Sequence, residues 1–292
     1  MCTVITTGRL FGRTMDFPPR TPWKLTYLPV DYQWQPAIGH RVVINRHRIL
    51  GGMRYFDGHF LIGDGINDAG LVCAELFFPV AADYQERVRP QTLALTPQDF
   101  INWVLGSHDS VAAVLAELDQ VSVVRRPWFD KQQYPFHWLL MDGSGTYVIE
   151  PLNGRLRARP NPAAVFTNTP DLDQQVSHLN AMLGLAGHQF SRATIHQLQT
   201  YFQPGPQGGN SVDRFKRAAL ARWRGRPSTP QQLRDFLQDV TVPHNQRHAH
   251  SYTHYQAIID RYRGEYTFYD LASGRKVQKN LASLMGPVPN RF

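Results

Sequence analysis

The stretch Cys2-Thr-Val-Ile-Thr-Thr-Gly-Arg-Leu-Phe-Gly-Arg-Thr-Met-Asp-Phe17 opens the chain directly after Met1. Every position from Thr3 to Thr7 is β-branched, which favours a strand. Gly8-Arg9 can make a tight turn, and Leu10-Phe-Gly-Arg13 can return beside the first strand as a hairpin. Such a hairpin folds Arg13 and Asp16 back towards Cys2. With Met1 removed, as a small second residue generally permits, Cys2 would hold a thiol and a free α-amine on one residue. An α-amine has a reference pKa of about 7.7–8.0, so near neutral pH it can accept the thiol proton. An arginine there could stabilise thiolate, and an aspartate could orient the amine. The residues alone leave the blander reading open: a small apolar strand residue beside a strand-end ion pair.

Outward from this hairpin, further strands are expected at Lys24–Leu28, Arg41–Leu50, His59–Gly63 and Leu71–Phe77. His137–Met141 and Tyr147–Pro151 flank the turn signal Asp142-Gly-Ser-Gly145, and Tyr255–Ile259 and Tyr266–Tyr269 flank residues 261–265. Helix starts are marked by Thr96-Pro97 and Thr229-Pro230, each an N-cap threonine before proline at the first helical position. Asp109-Ser110 leads into a helix over Val111–Leu118, and Asp171 into one bearing Val176, Leu179, Met182 and Leu183. Strands in hairpins with helices grouped between them favour antiparallel sheets covered by helices over a doubly wound parallel sheet. With no internal repeat and no linker-like shift in composition, one domain over residues 1–292 is expected.

Composition narrows the function. Of 292 residues, 42% are hydrophobic and 18% charged, against roughly 25% charged in an average globular protein, so disorder and coiled coil are excluded. Two cysteines supply neither a disulfide framework nor a Cys-rich zinc site. No apolar run approaches the roughly 18–20 residues of a membrane span, and the N-terminus lacks a signal-peptide pattern; a cytoplasmic protein is expected. The net charge of +8 raises the question of nucleic acid. The basic run from Arg214 to Arg226 scatters round a helix without forming one stripe, and no nucleic-acid-binding motif accompanies it. A solvated basic surface that does not repel small anions is the simpler account.

Cys2-Thr and Gly12-Arg-Thr-Met-Asp-Phe17 resemble the choloylglycine hydrolases, the family of penicillin V acylases and bile salt hydrolases within the N-terminal-nucleophile hydrolases. Further segments follow in the family's order. Gly65-Ile-Asn-Asp-Ala-Gly-Leu71 is similar to Gly-Met-Asn-Glu-x-Gly-Leu, and Glu75-Leu-Phe-Phe-Pro79 stands where the family has Gly-Leu-Asn-Phe-Pro or a tyrosine-bearing version. Phe136-His-Trp-Leu-Leu-Met-Asp142 and Val148-Ile-Glu150 match its central hairpin. Val165-Phe-Thr-Asn-Thr-Pro170 matches its Thr-Asn-Ser-Pro element, and Asp213-Arg-Phe215 its Ser-Arg-Phe. The likeness runs from Cys2 to about Tyr255.

The resemblance implies an α+β fold of αββα type, two stacked and mainly antiparallel sheets between helix layers. It implies hydrolysis of a linear amide with Cys2 as nucleophile, its α-amine as base, Asp16 holding that amine and Arg13 beside the thiolate. Asn168 and the backbone N–H of Phe77 would receive the oxyanion, and Arg214 would anchor the network. No metal or organic cofactor is implied; the partner is a small N-acyl substrate, and the protein is expected to be a homo-oligomer, dimer or tetramer. Phe77 replaces the asparagine typical of bile salt hydrolases and keeps the aromatic body found in several acylases. A penicillin V acylase-like activity is therefore preferred, with bile salt hydrolysis second and acyl-homoserine lactone cleavage third. The loop Pro206-Gln-Gly-Gly-Asn-Ser-Val-Asp213 departs from the family pattern in a region that shapes the pocket rim. A binding protein that keeps the fold without catalysis is the alternative of another class. The cluster His244, His248, His250 and His254 offers i, i+4 pairs for a metal if helical, or else a solvated loop. Cys73 reads as a small core residue, and the aromatics of Tyr27–Trp34 as core more readily than pocket lining.

Overall fold

The run of β-branched residues forms β1 (Thr3–Thr7), Gly8 turns at φ +55°, and β2 (Leu10–Phe17) returns antiparallel to it. The computed structural model describes residues 2–19 and 22–292; the expected loss of Met1 lies outside the described residues. The chain continues through β3 (Trp23–Leu28), β4 (Gln33–Trp34), β5 (Val43–Ile44), β6 (Ile49–Phe56), β7 (His59–Asn67) and β8 (Val72–Phe77). A short strand β9 (Leu93–Leu95) precedes helices α1 (Pro97–Ser107) and α2 (Val111–Glu117), and β10 (Val121–Val123) pairs with β9 in parallel. Then come β11 (Phe136–Asp142), β12 (Gly145–Leu152), β13 (Arg155–Pro160) and β14 (Val165–Thr167). Four helices follow, α3 (Leu172–Met182), α4 (Arg192–Thr200), α5 (Ser211–Leu220) and α6 (Pro230–Asp239). The chain closes with β15 (Tyr252–Asp260), β16 (Glu265–Asp270), β17 (Lys276–Asn280) and β18 (Asn290–Arg291).

Two large antiparallel sheets result, and β4 pairs separately with β5. One has the order β14-β1-β2-β15-β16-β17 and the other β13-β12-β11-β8-β7-β6-β3-β18. Helices α5 and α6 cover the first sheet, and α1 packs on β7, β8 and β11 of the second. This is the expected αββα arrangement. The anticipated strand over Arg41–Leu50 instead divides into β5 and the start of β6. Between them Arg46 and His47 donate their N–H groups to the Gly106 carbonyl of α1 (2.7 and 3.2 Å), which pulls the backbone out of any ladder. Tyr27 and Trp34 are buried, as core aromatics. The charged strand β13 and helix α5 were not anticipated. Arg155, Arg157 and Arg159 mask a period-two strand in β13, whereas α5 carries a legible cap, Asn210 Oδ1 accepting from Asp213 N–H (2.9 Å).

One buried cation ties the sheets together. Arg13 of β2 crosses to the second sheet, donating to the Gly63 carbonyl (2.5 Å) and lying 3.4 Å from Asp64. A β-bulge in the β6–β7 ladder, where Gly52 faces Asp64 and Met53 faces Ile62, leaves Gly63 out of register beside that guanidinium. Asp64 also accepts from the hydroxyls of Tyr255 (2.6 Å) and Tyr266, both on the first sheet. Gly52 and Gly63 are required by this approach. A Cβ at Gly52 would lie 2.3 Å from the Tyr255 hydroxyl, and one at Gly63 2.4 Å from Met15 Cε. Burial works against the charge of Arg13, but Cys2, Asp64 and the two tyrosines outweigh it and hold its pKa above the ordinary arginine value.

A second buried acid is not so provided for. Glu75 of β8 is 1% exposed, and neither carboxyl oxygen has a hydrogen-bond partner among the described residues. Burial pushes its pKa well above the ordinary glutamate value.

Asp64→Asn strands the Arg13 charge in the interior and should cost about 3–5 kcal/mol; a urea-unfolding loss below about 1 kcal/mol would contradict the linkage. For Glu75 the folded pKa exceeds the unfolded one, near 4.3, so its contribution declines as pH rises above that value. Glu75→Gln removes the decline, and its gain in Tm over the native protein should be larger at pH 8 than at pH 4. An equal difference at both pH values would show that the carboxyl is not protonated in the fold.

Candidate active site

Strand β1 lies between β2 and β14, with Thr3 opposite Thr14 on one side and Thr167 on the other. Extending both registers by one residue places Cys2 between Met15 and Asn168. The contacts follow that geometry. Cys2 N–H donates to Asn168 Oδ1 (2.9 Å), and Cys2 Sγ lies 3.6 Å from the Asp16 carbonyl oxygen and 4.0 Å from Met15 Sδ. Arg13 Nη2 reaches the same Met15 sulfur from the other side at 3.2 Å. Cys2 and Asn168 are both nearly fully buried.

Alternation along β2 sends its side chains to opposite faces of the sheet. Arg13 and Met15 point towards the second sheet. Thr14 and Asp16 point to the helix side, where Arg214 of α5 enters. Arg214 Nη1 donates to Asp16 Oδ2 (3.0 Å) and Thr3 Oγ1 (3.4 Å), while its Nε donates to the Gly209 carbonyl (3.1 Å). The other Asp16 oxygen accepts from the Thr253 hydroxyl (2.5 Å). A bulge at His254 puts Thr253 opposite Asp16 and Tyr255 opposite Met15, so β15 serves both faces. Burial alone would raise the Asp16 carboxyl; nearby positive charge, Arg214 included, and the Thr253 hydroxyl hold it below the ordinary aspartate range. Asp16 is thus an anion on one flank of Cys2 and Arg13 a cation on the other.

Phe77 ends β8, and its backbone direction follows from the ladder. Phe78 N–H donates to the Pro135 carbonyl (2.7 Å), so the neighbouring pair, Phe77 with Phe136, is of the non-hydrogen-bonded kind. Phe136 donates its own N–H to the Tyr84 hydroxyl (2.6 Å) and accepts from that hydroxyl through its carbonyl. The Phe77 N–H therefore turns away from β11 towards β7, whose pairing with β8 ends at Asp64 and Ala74. The sheet splits there, with β7 following β6 and β8 following β11, and the Phe77 N–H faces the split.

Five of the six residues implied by the resemblance, Cys2, Arg13, Asp16, Asn168 and Arg214, are thus brought together by direct contacts or through Met15. Phe77 stands at the split in the sheet beyond the bulge that Arg13 contacts. Sequence reasoning missed Asp64, Tyr255, Tyr266 and Thr253, which hold Arg13 and Asp16 from distant strands. The histidine cluster does not form a helix. Residues 246–248 make a single 3-10 turn, His254 lies in β15, and His244 and His254 stack on either side of Tyr252 at 4.0 and 4.4 Å. Among the described residues no three His, Cys, Asp or Glu side chains are grouped to hold a metal ion. Cys73 is a buried free thiol, and burial pushes its pKa up.

Comparison with known proteins bears on the same residues. The family described as linear amide C–N hydrolases, choloylglycine hydrolase family, matches residues 2–284. A bile salt hydrolase/transferase of Lactiplantibacillus plantarum is 28% identical over 235 residues, 76% of this chain and 71% of that protein. The bile salt hydrolase/transferase of Clostridium perfringens is 29% identical over 182 residues, 62% of this chain and only 55% of that protein's length. Among solved structures, a C2A mutant of the conjugated bile acid hydrolase from Clostridium perfringens superposes with a TM-score of 0.85 at 20% identity. It covers 100% of this chain and 96% of that one. Penicillin V acylase from Agrobacterium tumefaciens gives a TM-score of 0.72 at 20% identity, covering 97% and 87%. With the family matched from Cys2 through nearly the whole sequence and the two-sheet fold shared with these hydrolases, the chain belongs to the choloylglycine hydrolase family of linear amide C–N hydrolases.

Proposed function

We propose that this protein hydrolyses a linear N-acyl amide with Cys2, freed of Met1, as its nucleophile. The observation that carries the reading is the double pairing of β1, which sets Cys2 against Asn168 on one side and the Arg13–Met15–Asp16 strand on the other. Cys2 Sγ attacks the carbonyl carbon, and its proton passes to the α-amine. Asn168, whose Oδ1 engages the Cys2 nitrogen, offers its amide N–H to the oxyanion, and the Phe77 N–H is the second donor. The α-ammonium then protonates the leaving amine, and the C–N bond breaks to leave a thioester on Cys2. Water, deprotonated by the same amine, attacks the thioester, and the carboxylic acid departs as the thiol is restored. Arg13 sets a buried positive charge on one side of the reacting residue, and Asp16, held by Arg214 and Thr253, sets a negative charge beside the ammonium that forms during the reaction. No step calls on a cofactor.

For the substrate we infer an apolar acyl group on a small polar, anionic amine. Phe77, aromatic and without an amide or hydroxyl, favours a penicillin V-type acyl group. Conjugated bile acids are the second reading, supported by the curated relatives at 28–29% identity that are named bile salt hydrolase/transferase. We also propose that the protein assembles as a dimer or tetramer and acts in the cytoplasm.

Penicillin V, glycocholate, taurocholate and a long-chain acyl-homoserine lactone, offered side by side, test the assignment. Hydrolysis of penicillin V above the others is expected; cleavage of the bile salts alone would replace the first reading by the second. Cys2→Ser should lower the rate on the best substrate by at least about a thousandfold. Asn168→Ala should lower kcat by about 10²–10³-fold. A Cys2→Ser variant of native activity would end the nucleophile assignment.

A further inference from the structure

Asn168 sits in the short segment between β14 and α3, where neither a ladder nor a helix holds its backbone. Three buried side chains from other elements reach that segment. His137 of β11 has Nε2 at 3.0 Å from the Thr167 carbonyl. Gln175 of α3 donates through Nε2 to Thr167 Oγ1 (3.0 Å) and to the Asn168 carbonyl (3.0 Å). Glu150 of β12 accepts from Leu172 N–H through Oε1 (3.0 Å), so it grips the far end of the same segment.

These three are themselves fixed. His137 stacks between Phe78 and Phe166, with ring centroids 4.2 Å from each. Its Nδ1 faces Glu150 Oε1 at 3.4 Å, and Glu150 Oε2 accepts from Arg159 (2.7 Å), which also pairs with Asp173 of α3 (2.5 Å). Burial pushes the His137 imidazole below its ordinary pKa, against the opposing pull of Glu150 and the Thr167 carbonyl. Glu150 goes the other way: burial favours its neutral form, but His137 and Arg159 hold the carboxyl below the ordinary range and keep it charged.

We propose that His137 and Gln175 are positioning residues for the reaction, whose hydrogen bonds to Thr167 and to the Asn168 backbone aim the Asn168 amide at the bond cleaved by Cys2. The inference rests on the reading of Asn168 as an oxyanion donor. Neither residue touches Cys2 in the structure, and both act through Asn168. A donor amide contributes to catalysis only when it is already aimed at the position of the oxyanion, so a loosened segment lowers kcat while leaving substrate affinity in place. The constraint is shared between a sheet residue and a helix residue, and one-sided loss leaves the other bond intact.

The test is a double-mutant cycle on the full-length mature protein, using the best substrate of the panel. Gln175→Met and His137→Phe keep side-chain bulk and remove the donors; each should lower kcat about tenfold with KM changed less than about twofold. In an Asn168→Ala background the same changes should lower kcat by less than about twofold, because the group they position is gone. His137→Gln, which retains a side-chain donor, should recover part of the loss. Equal losses in both backgrounds, or a kcat unaltered by either single change, would overturn the proposal. Amide hydrogen exchange over residues 168–175 is a readout without turnover, and Gln175→Met should speed it. Unchanged exchange would refute the positioning role even if no substrate were cleaved, whereas faster exchange in an inactive protein would refute only the hydrolase reading.

Discussion

Strand β1 is hydrogen-bonded along both edges, to β2 and to β14, and this double pairing sets every group that faces Cys2. The period of two along a strand leaves no freedom: a shift of one residue in either ladder would exchange the helix-side and sheet-side faces. With Thr3 opposite both Thr14 and Thr167, Cys2 meets Met15 and Asn168, and Asp16 and Arg13 fall on opposite faces beside it. An anion and a cation can then flank one thiol without neutralising each other, since Asp16 is engaged by Arg214 and Thr253 while Arg13 is engaged by Asp64 and Gly63.

The expense of keeping Arg13 fully buried explains much of the surrounding sequence. A guanidinium out of water needs a carboxylate and acceptors in good geometry. Here they come from the other sheet, through a bulge at Gly63 and an Asp64 that two tyrosines from β15 and β16 also contact. Gly52 and Gly63 leave room for Tyr255 and for Met15. The stacking of the two sheets and the charge beside Cys2 are therefore one arrangement, and loosening either loosens the other.

The hairpin carrying Cys2, Arg13 and Asp16 was legible because its contacts are local: a β-branched run, a Gly-Arg turn and a return strand. The helix starts at Thr96, Ser110, Asp171 and Thr229 were legible for the same reason, since a cap is written in a few adjacent residues. Asn168, Phe77 and Arg214 were reached only through family resemblance, because 166 residues separate Asn168 from Cys2 and no local pattern joins them. Asp64, Tyr255, Tyr266, His137 and Gln175 stayed hidden, as each looks like an ordinary core or turn residue until the sheets are stacked. The histidine cluster misled in the opposite sense: the spacing suits a metal only on a helix, and β15 claims His254 as a strand residue.

The central claim is that the sulfur of Cys2, at a free N-terminus, carries the acyl group during the reaction. Rapid acid quenching during turnover of the best substrate, followed by digestion and mass spectrometry, measures this directly. A peptide that begins at Cys2, lacks Met1 and bears the acyl mass as a hydroxylamine-labile thioester is expected. An acyl group on Cys73, or turnover by protein whose Cys2 still follows Met1, would contradict the claim.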